Sequence, residues 1–86
     1  MSIEEEILVC AVRYALGRMS YVVGDVCKYI ANRKDSLTKH CRLIIISDIE
    51  REIEMYHRLG RTCGHECDEK DWLKLLDVLR QDLNKE

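Results

Sequence analysis

Proline and phenylalanine are absent from this 86-residue chain, which also has one tryptophan and only four glycines. Without proline nothing in the sequence breaks a helix outright, so long helices are open to it. No apolar run reaches the roughly 18 residues of a membrane-spanning helix. The start, Ser2 followed by three glutamates within four residues, is the opposite of a signal peptide's basic opening. Together with the cysteine usage it predicts a cytoplasmic protein. There is no glycine-rich phosphate loop, no nucleophile elbow and no two-histidine metal helix. His40 and Cys41 are adjacent and therefore point to different sides of a helix, so they form no dyad. The sequence is read as non-enzymatic, with no cofactor.

What is present suits one small domain spanning residues 1–86. Apolar residues make up 47% of the chain, enough for a core, and charged residues 35%, enough for a solvated shell. The five cysteines are an odd number without a secretory start, which argues against a disulfide framework. Cys10, Cys27 and Cys41 fall on apolar helical faces and are expected reduced and buried. The net charge of −2 is uneven: −3 over residues 1–12, +5 over 13–42 and −4 over 43–86. A basic middle between acidic ends fits either an anionic partner or a domain whose own ends neutralise it. The overall acidity favours the second.

Periodicity predicts an all-α bundle of about four helices. The first starts at Ser2, with Glu5 at capping-box spacing. Ile3, Ile7, Cys10, Ala11, Tyr14 and Ala15 form its main stripe, expected to face the core. Leu8, Val12 and Leu16 form a second apolar face, so this helix is either central to the fold or half-buried against a partner or a second copy. Gly17 stops this helix, and Ser20 caps a second over 21–32 with stripe Val22, Val23, Val26, Tyr29 and Ile30. After a polar loop, a third helix is expected from about Ser36 to Leu59, either as one long helix or as two with a bend near Ser47, with a short strand at Arg42–Ile46 as the alternative. Asp68 looks like the N-cap of a last helix running to about Leu83, with Trp72, Leu75, Leu76, Leu79 and Leu83 inward.

Three constellations bear on function. Arg13, Tyr14, Arg18 and Tyr21 cluster at the first helix break, with Lys28, Arg33 and Lys34 following. Guanidiniums beside phenol rings suit a partner's carboxylates or phosphates, although amphipathic side chains at element edges need no ligand. His57, Cys63, His65 and Cys67 supply four potential zinc donors, but only one cysteine pair is present where structural sites bring two. The expectation is therefore no metal. The first two helices also allow a helix-turn-helix that binds nucleic acid through Arg18, Lys28, Arg33, Lys34 and Lys39. The second helix is poor in base-reading side chains, which makes this the weaker alternative.

The stretch Arg13–Val23, which opens RYALGRMSY, and the later pairing of Leu43–Glu52 with the Cys67-Asp68…Trp72 ending resemble a set of small proteins encoded by phages and prophages. The likeness spans most of the chain but transfers no catalytic or binding residue. It implies a phage accessory protein that acts by binding and modulating or inhibiting one host protein. Host defence nucleases of the CRISPR type are among the possible targets, as for an anti-CRISPR inhibitor.

Overall fold

The computed structural model describes residues 1–83, and among them every regular element is helical. The last three residues of the expected domain lie outside that range. Helices α1 (Ile3–Ala15), α2 (Tyr21–Ala31), α3 (Lys39–Arg58) and α4 (Glu66–Arg80) follow in order, with one 3₁₀ turn at Lys34–Ser36. The segment Arg42–Ile46, where a strand was the alternative, lies inside α3.

Each helix begins where a side chain can satisfy its orphan amides. Ser2 Oγ accepts from the Glu5 N–H at 3.2 Å and the Glu5 carboxylate takes the Ser2 N–H in return, completing the expected capping box. Ser20 Oγ accepts from the Val22 N–H at 3.2 Å. The third helix starts later than expected. Ser36 closes the 3₁₀ turn, donating its hydroxyl to the Arg33 carbonyl, while Thr38 Oγ1 caps α3 through the Cys41 N–H at 3.2 Å. The fourth starts earlier. Asp68 is its third residue rather than its cap and accepts the His65 N–H at 3.0 Å. Gly64 makes this early start possible: its φ of +83° turns the chain, and a Cβ there would stand 2.8 Å from the Arg18 carbonyl oxygen. Helix α4 ends at Arg80, three residues short of the expected Leu83.

The helices pack as a ring in which α1 meets α2 and α3, and α4 meets the same two. One continuous core fills the centre, with Val12, Val23, Ile30, Cys41, Ile45, Ile49, Trp72, Leu75 and Leu79 almost wholly enclosed. Helix α1 is rotated relative to the expectation. Leu8, Val9, Val12 and Ala15 point inward, with Leu16 half-buried beside them, so the face expected to serve a homodimer is in the core. The physical reason is what each side would bury. At 100° per residue the expected stripe Ile3, Ile7, Cys10, Ala11, Tyr14 and Ala15 covers about 140° with Glu4 inside it, whereas Leu8, Val9, Val12, Ala15 and Leu16 cover about 120° whose one acid, Glu5, is satisfied by Ser2 and Thr38. Burying the first side would leave a carboxylate without a partner, so the second goes in.

Polar groups are buried where they tie elements together. The Glu5 carboxylate accepts the Thr38 N–H at 2.8 Å and its hydroxyl at 3.0 Å, joining the start of α1 to the start of α3. Arg42, only 4% exposed, donates Nε and Nη2 to the Leu79 carbonyl at 3.0 and 2.6 Å and Nη2 also to the Gln81 carbonyl. It thereby satisfies carbonyls that the end of α4 leaves open. Asp48 accepts from Arg13 and Arg51, each at 2.8 Å.

The Thr38 N–H holds the Glu5 carboxyl below its ordinary range, against the opposing effect of burial. The folded state therefore takes up this proton less readily than the unfolded chain. The contribution is present above the ordinary carboxylate pKa and is lost as pH falls through the folded value. Thermal melts from pH 7 down to about pH 3 should show the wild type losing stability on the acid limb. Glu5→Gln should melt lower at pH 7 and lose less on acidification. Equal acid limbs for the two proteins would show that Glu5 carries no such linkage.

Candidate interaction surface

The rotation of α1 that fills the core leaves a second apolar surface in water. Ile3, Ile7 and Tyr14 are 76%, 62% and 60% exposed, and Cys10 lies exposed among them. They recur at i, i+4, i+7 and i+11, which stacks them in one ridge along the helix. Beside it, α1 and α2 enclose a groove of about 490 Å³ lined by Ile7, Leu8, Ala11, Val26 and Tyr29, with Glu4 and Asp25 at its edge. Contiguous exposed apolar surface of this kind is uncommon on a chain that works alone.

Two stacked pairs bracket this surface. The Arg18 guanidinium lies over the Tyr14 ring at 4.0 Å from its centroid, and its Nε donates to the Tyr14 carbonyl at 2.8 Å. Arg33 lies over Tyr29 at 3.5 Å and donates to the Tyr29 carbonyl at 3.3 Å. Both follow from one local pattern: an arginine four residues after a tyrosine, where the helix ends and its carbonyls are open. Each stack holds a cation in place while leaving ring and charge available to a partner.

The expected basic cluster is only partly assembled. Arg13 is committed to Asp48, a carboxylate just 5% exposed, and Lys34 Nζ donates to Gln81 at 3.1 Å and lies 3.8 Å from Asp35. Arg42 is buried. Much of the positive middle therefore neutralises the protein's own acids and helix ends. Arg18 and Arg33 follow opposite ends of the hairpin, separated by the length of α2, about 16 Å at 1.5 Å per residue. Tyr21 and Lys28 lie on the outer side of α2 with Asp25 between them in sequence, and Tyr21 is 84% exposed. An acid in the middle of that face does not suit a helix laid against phosphates.

The four potential zinc donors do not converge. His57 Nε2 lies 2.7 Å from Glu69, whose other partner is the Cys63 N–H at 3.0 Å. Cys63 is fully buried, while His65 and Cys67 are exposed. No cluster of three metal-capable side chains exists among the described residues. Burial raises the Glu69 pKa, but the Cys63 amide and His57 outweigh it and leave the carboxyl below its ordinary range. These contacts brace the loop before α4. At the same end of the molecule the Tyr56 hydroxyl sits close over Gly17, whose φ of +81° is a conformation that favours glycine.

The groove between α3 and α4 is larger, about 660 Å³, but its charges are satisfied internally through Arg80–Glu50 and Arg58–Glu54. No helix among the described residues is long and apolar enough to cross a membrane. Compared with known proteins, the chain matches no family model, no curated protein and no solved structure.

The cysteines divide differently from the expectation that the first three are buried. Cys27 and Cys41 are enclosed, whereas Cys10 rides on the outward ridge. Burial pushes the Cys27 thiol up to about 12 and the Cys41 thiol up to about 11, and it also raises Cys63, against a Gly17 N–H that favours the thiolate. Two of the five thiols, Cys10 and Cys67, should react with a disulfide reagent in the native protein, and the other three only in denaturant. Protection of Cys10 in protein shown to be monomeric would place the ridge inside the fold.

Proposed function

We propose that this chain is a small non-enzymatic protein-binding module whose contact surface is the outward side of the α1–α2 hairpin. The observation that supports it is the exposed ridge Ile3–Ile7–Cys10–Tyr14 with its adjoining groove, bracketed by the Tyr14–Arg18 and Tyr29–Arg33 stacks. An apolar strip supplies burial, and fixed cations at its ends supply direction. That combination suits an amphipathic partner segment carrying acids beside its apolar residues. The contact residues for such a segment are then Arg18 and Arg33 of the expected set, joined by the groove walls Val26 and Tyr29, with the ridge beside them a second contact strip. The resemblance of RYALGRMSY and the Cys67-Asp68…Trp72 ending to small phage proteins extends the proposal to a host protein as target, met in the host cytoplasm and modulated or inhibited by occupation.

Affinity capture from bacterial lysate tests this directly. The tagged wild type should retain a defined protein with or without nuclease treatment. A Val26→Asp/Tyr29→Ala variant with a native helical spectrum should lose it. Retention that disappears with nuclease would favour the nucleic-acid alternative. Equal capture by the variant would show that the groove is not the contact.

A further inference from the structure

The outward ridge of α1 has a symmetry that its groove lacks. Ile3, Ile7, Cys10 and Tyr14 are spaced four, three and four residues apart, so the row reads the same from either end about a point between Leu8 and Val9. We infer that a second copy of this chain packs against the ridge, α1 antiparallel to α1, about a two-fold axis through that point. The inference rests on the outward hairpin face being a protein contact surface, and it names the ridge's own occupant. In this arrangement Ile3 of each copy lies against Tyr14 of the other, and Ile7 against Cys10.

Charge points the same way. The exposed acids of α1, Glu4 and Glu6, are in its first turn; the bases Arg13 and Arg18 are at and beyond its last. A parallel pair would bring like charges together, whereas an antiparallel pair sets each acidic end beside a basic one. Glu6 and Arg13 are about 20° apart on the same flank of the ridge at 100° per residue. A two-fold axis normal to the plane of the helices keeps like flanks together. It therefore brings Glu6 of one copy toward Arg13 of the other, whose Nε alone holds Asp48. Opposed e/g-type charges choose orientation in antiparallel helix pairs in this way.

The four ridge side chains and their flanking neighbours Glu4, Glu6 and Arg13 are all exposed and form one face along the whole of α1. Such a contact is isologous and closes at two chains. The same axis leaves both α1–α2 grooves on one side of the dimer, so the groove walls Val26 and Tyr29 remain open to a different partner.

Sedimentation equilibrium of the full chain over about 1–100 μM tests the inference. The wild type should approach twice the 10.1 kDa chain mass, and Ile7→Asp, a change at an exposed position, should sediment as one chain with a native helical spectrum and a melting curve that no longer depends on protein concentration. Leu73→Asp, exposed on α4, should remain a dimer. In a Cys67→Ser background a bismaleimide should link Cys10 to Cys10, whose Cα atoms would lie about 7 Å apart across helices packed about 8–10 Å apart. Wild type at one chain's mass throughout the series, or a dimer that survives Ile7→Asp, overturns the inference. If the chain is monomeric but Val26→Asp/Tyr29→Ala still abolishes capture from lysate, only the dimer falls. If capture is unaffected as well, the binding surface falls with it.

Discussion

The rotation of α1 about its own axis is the constraint on which the rest depends. Apolar residues occupy two sides of this helix, and only one can enter the core. The side that enters, Leu8, Val9, Val12 and Ala15, packs with α2 and α3 and brings Glu5 to the start of α3. That placement lets one carboxylate serve two helix starts, through the Ser2 N–H and through the Thr38 N–H and hydroxyl. The opposite rotation would bury Tyr14 and Ile3 and leave Glu5 without Thr38. The ridge in solvent is thus a consequence of how the core is satisfied, and it leaves Ile3, Ile7 and Tyr14 in water as one apolar row.

The same economy governs the charges. The positive middle of the chain suggests an external anion, but Arg42 closes the end of α4, Arg13 meets Asp48, and Lys34 reaches Gln81. What remains on the outside is Lys28, Lys39 and two arginines, and only the arginines are held, each laid on a tyrosine one turn earlier. Stacking and a bond to the helix-end carbonyl restrict both side chains before any partner arrives. Less conformational entropy is then lost when a carboxylate binds. The electrostatics thus divide into internal ties that fix the fold and two oriented cations that frame the outward surface.

The sequence carried the helical architecture plainly, because capping residues and 3.6-residue periodicity are local signals. Ser2 with Glu5, Ser20, and the stripe from Trp72 to Leu79 all read correctly from neighbours alone. Helix starts failed where a non-local or backbone effect intervened. Thr38 displaces Ser36 because Glu5 reaches it from α1, and α4 begins before Asp68 because Gly64 turns against the Arg18 carbonyl. The face of α1 was misjudged for a physical reason: apolar recurrence was counted without the acids inside each sector. Glu4 falls between Ala11 and Ala15 on the expected stripe, whereas Glu5, in the sector of Leu8, Val9, Val12, Ala15 and Leu16, is satisfied by Ser2 locally and by Thr38 from α3, a contact that the neighbouring residues do not announce. Tyr14, Arg18 and Arg33 were legible as functional candidates. Ile3 and Ile7 were not, because they look like core until the competing face is weighed.

Charge placed on either side of α1 measures this most directly. Val12→Asp and Cys10→Asp introduce the same carboxylate two residues apart, one into the fully enclosed side and one onto the ridge. Burying an unpaired carboxylate costs several kcal/mol, enough to unfold a domain of this size. Circular dichroism melts should show Val12→Asp unfolded or strongly destabilised and Cys10→Asp close to the wild type. A stable Val12→Asp beside an unfolded Cys10→Asp would mean the helix is turned the other way, and the outward ridge would not exist.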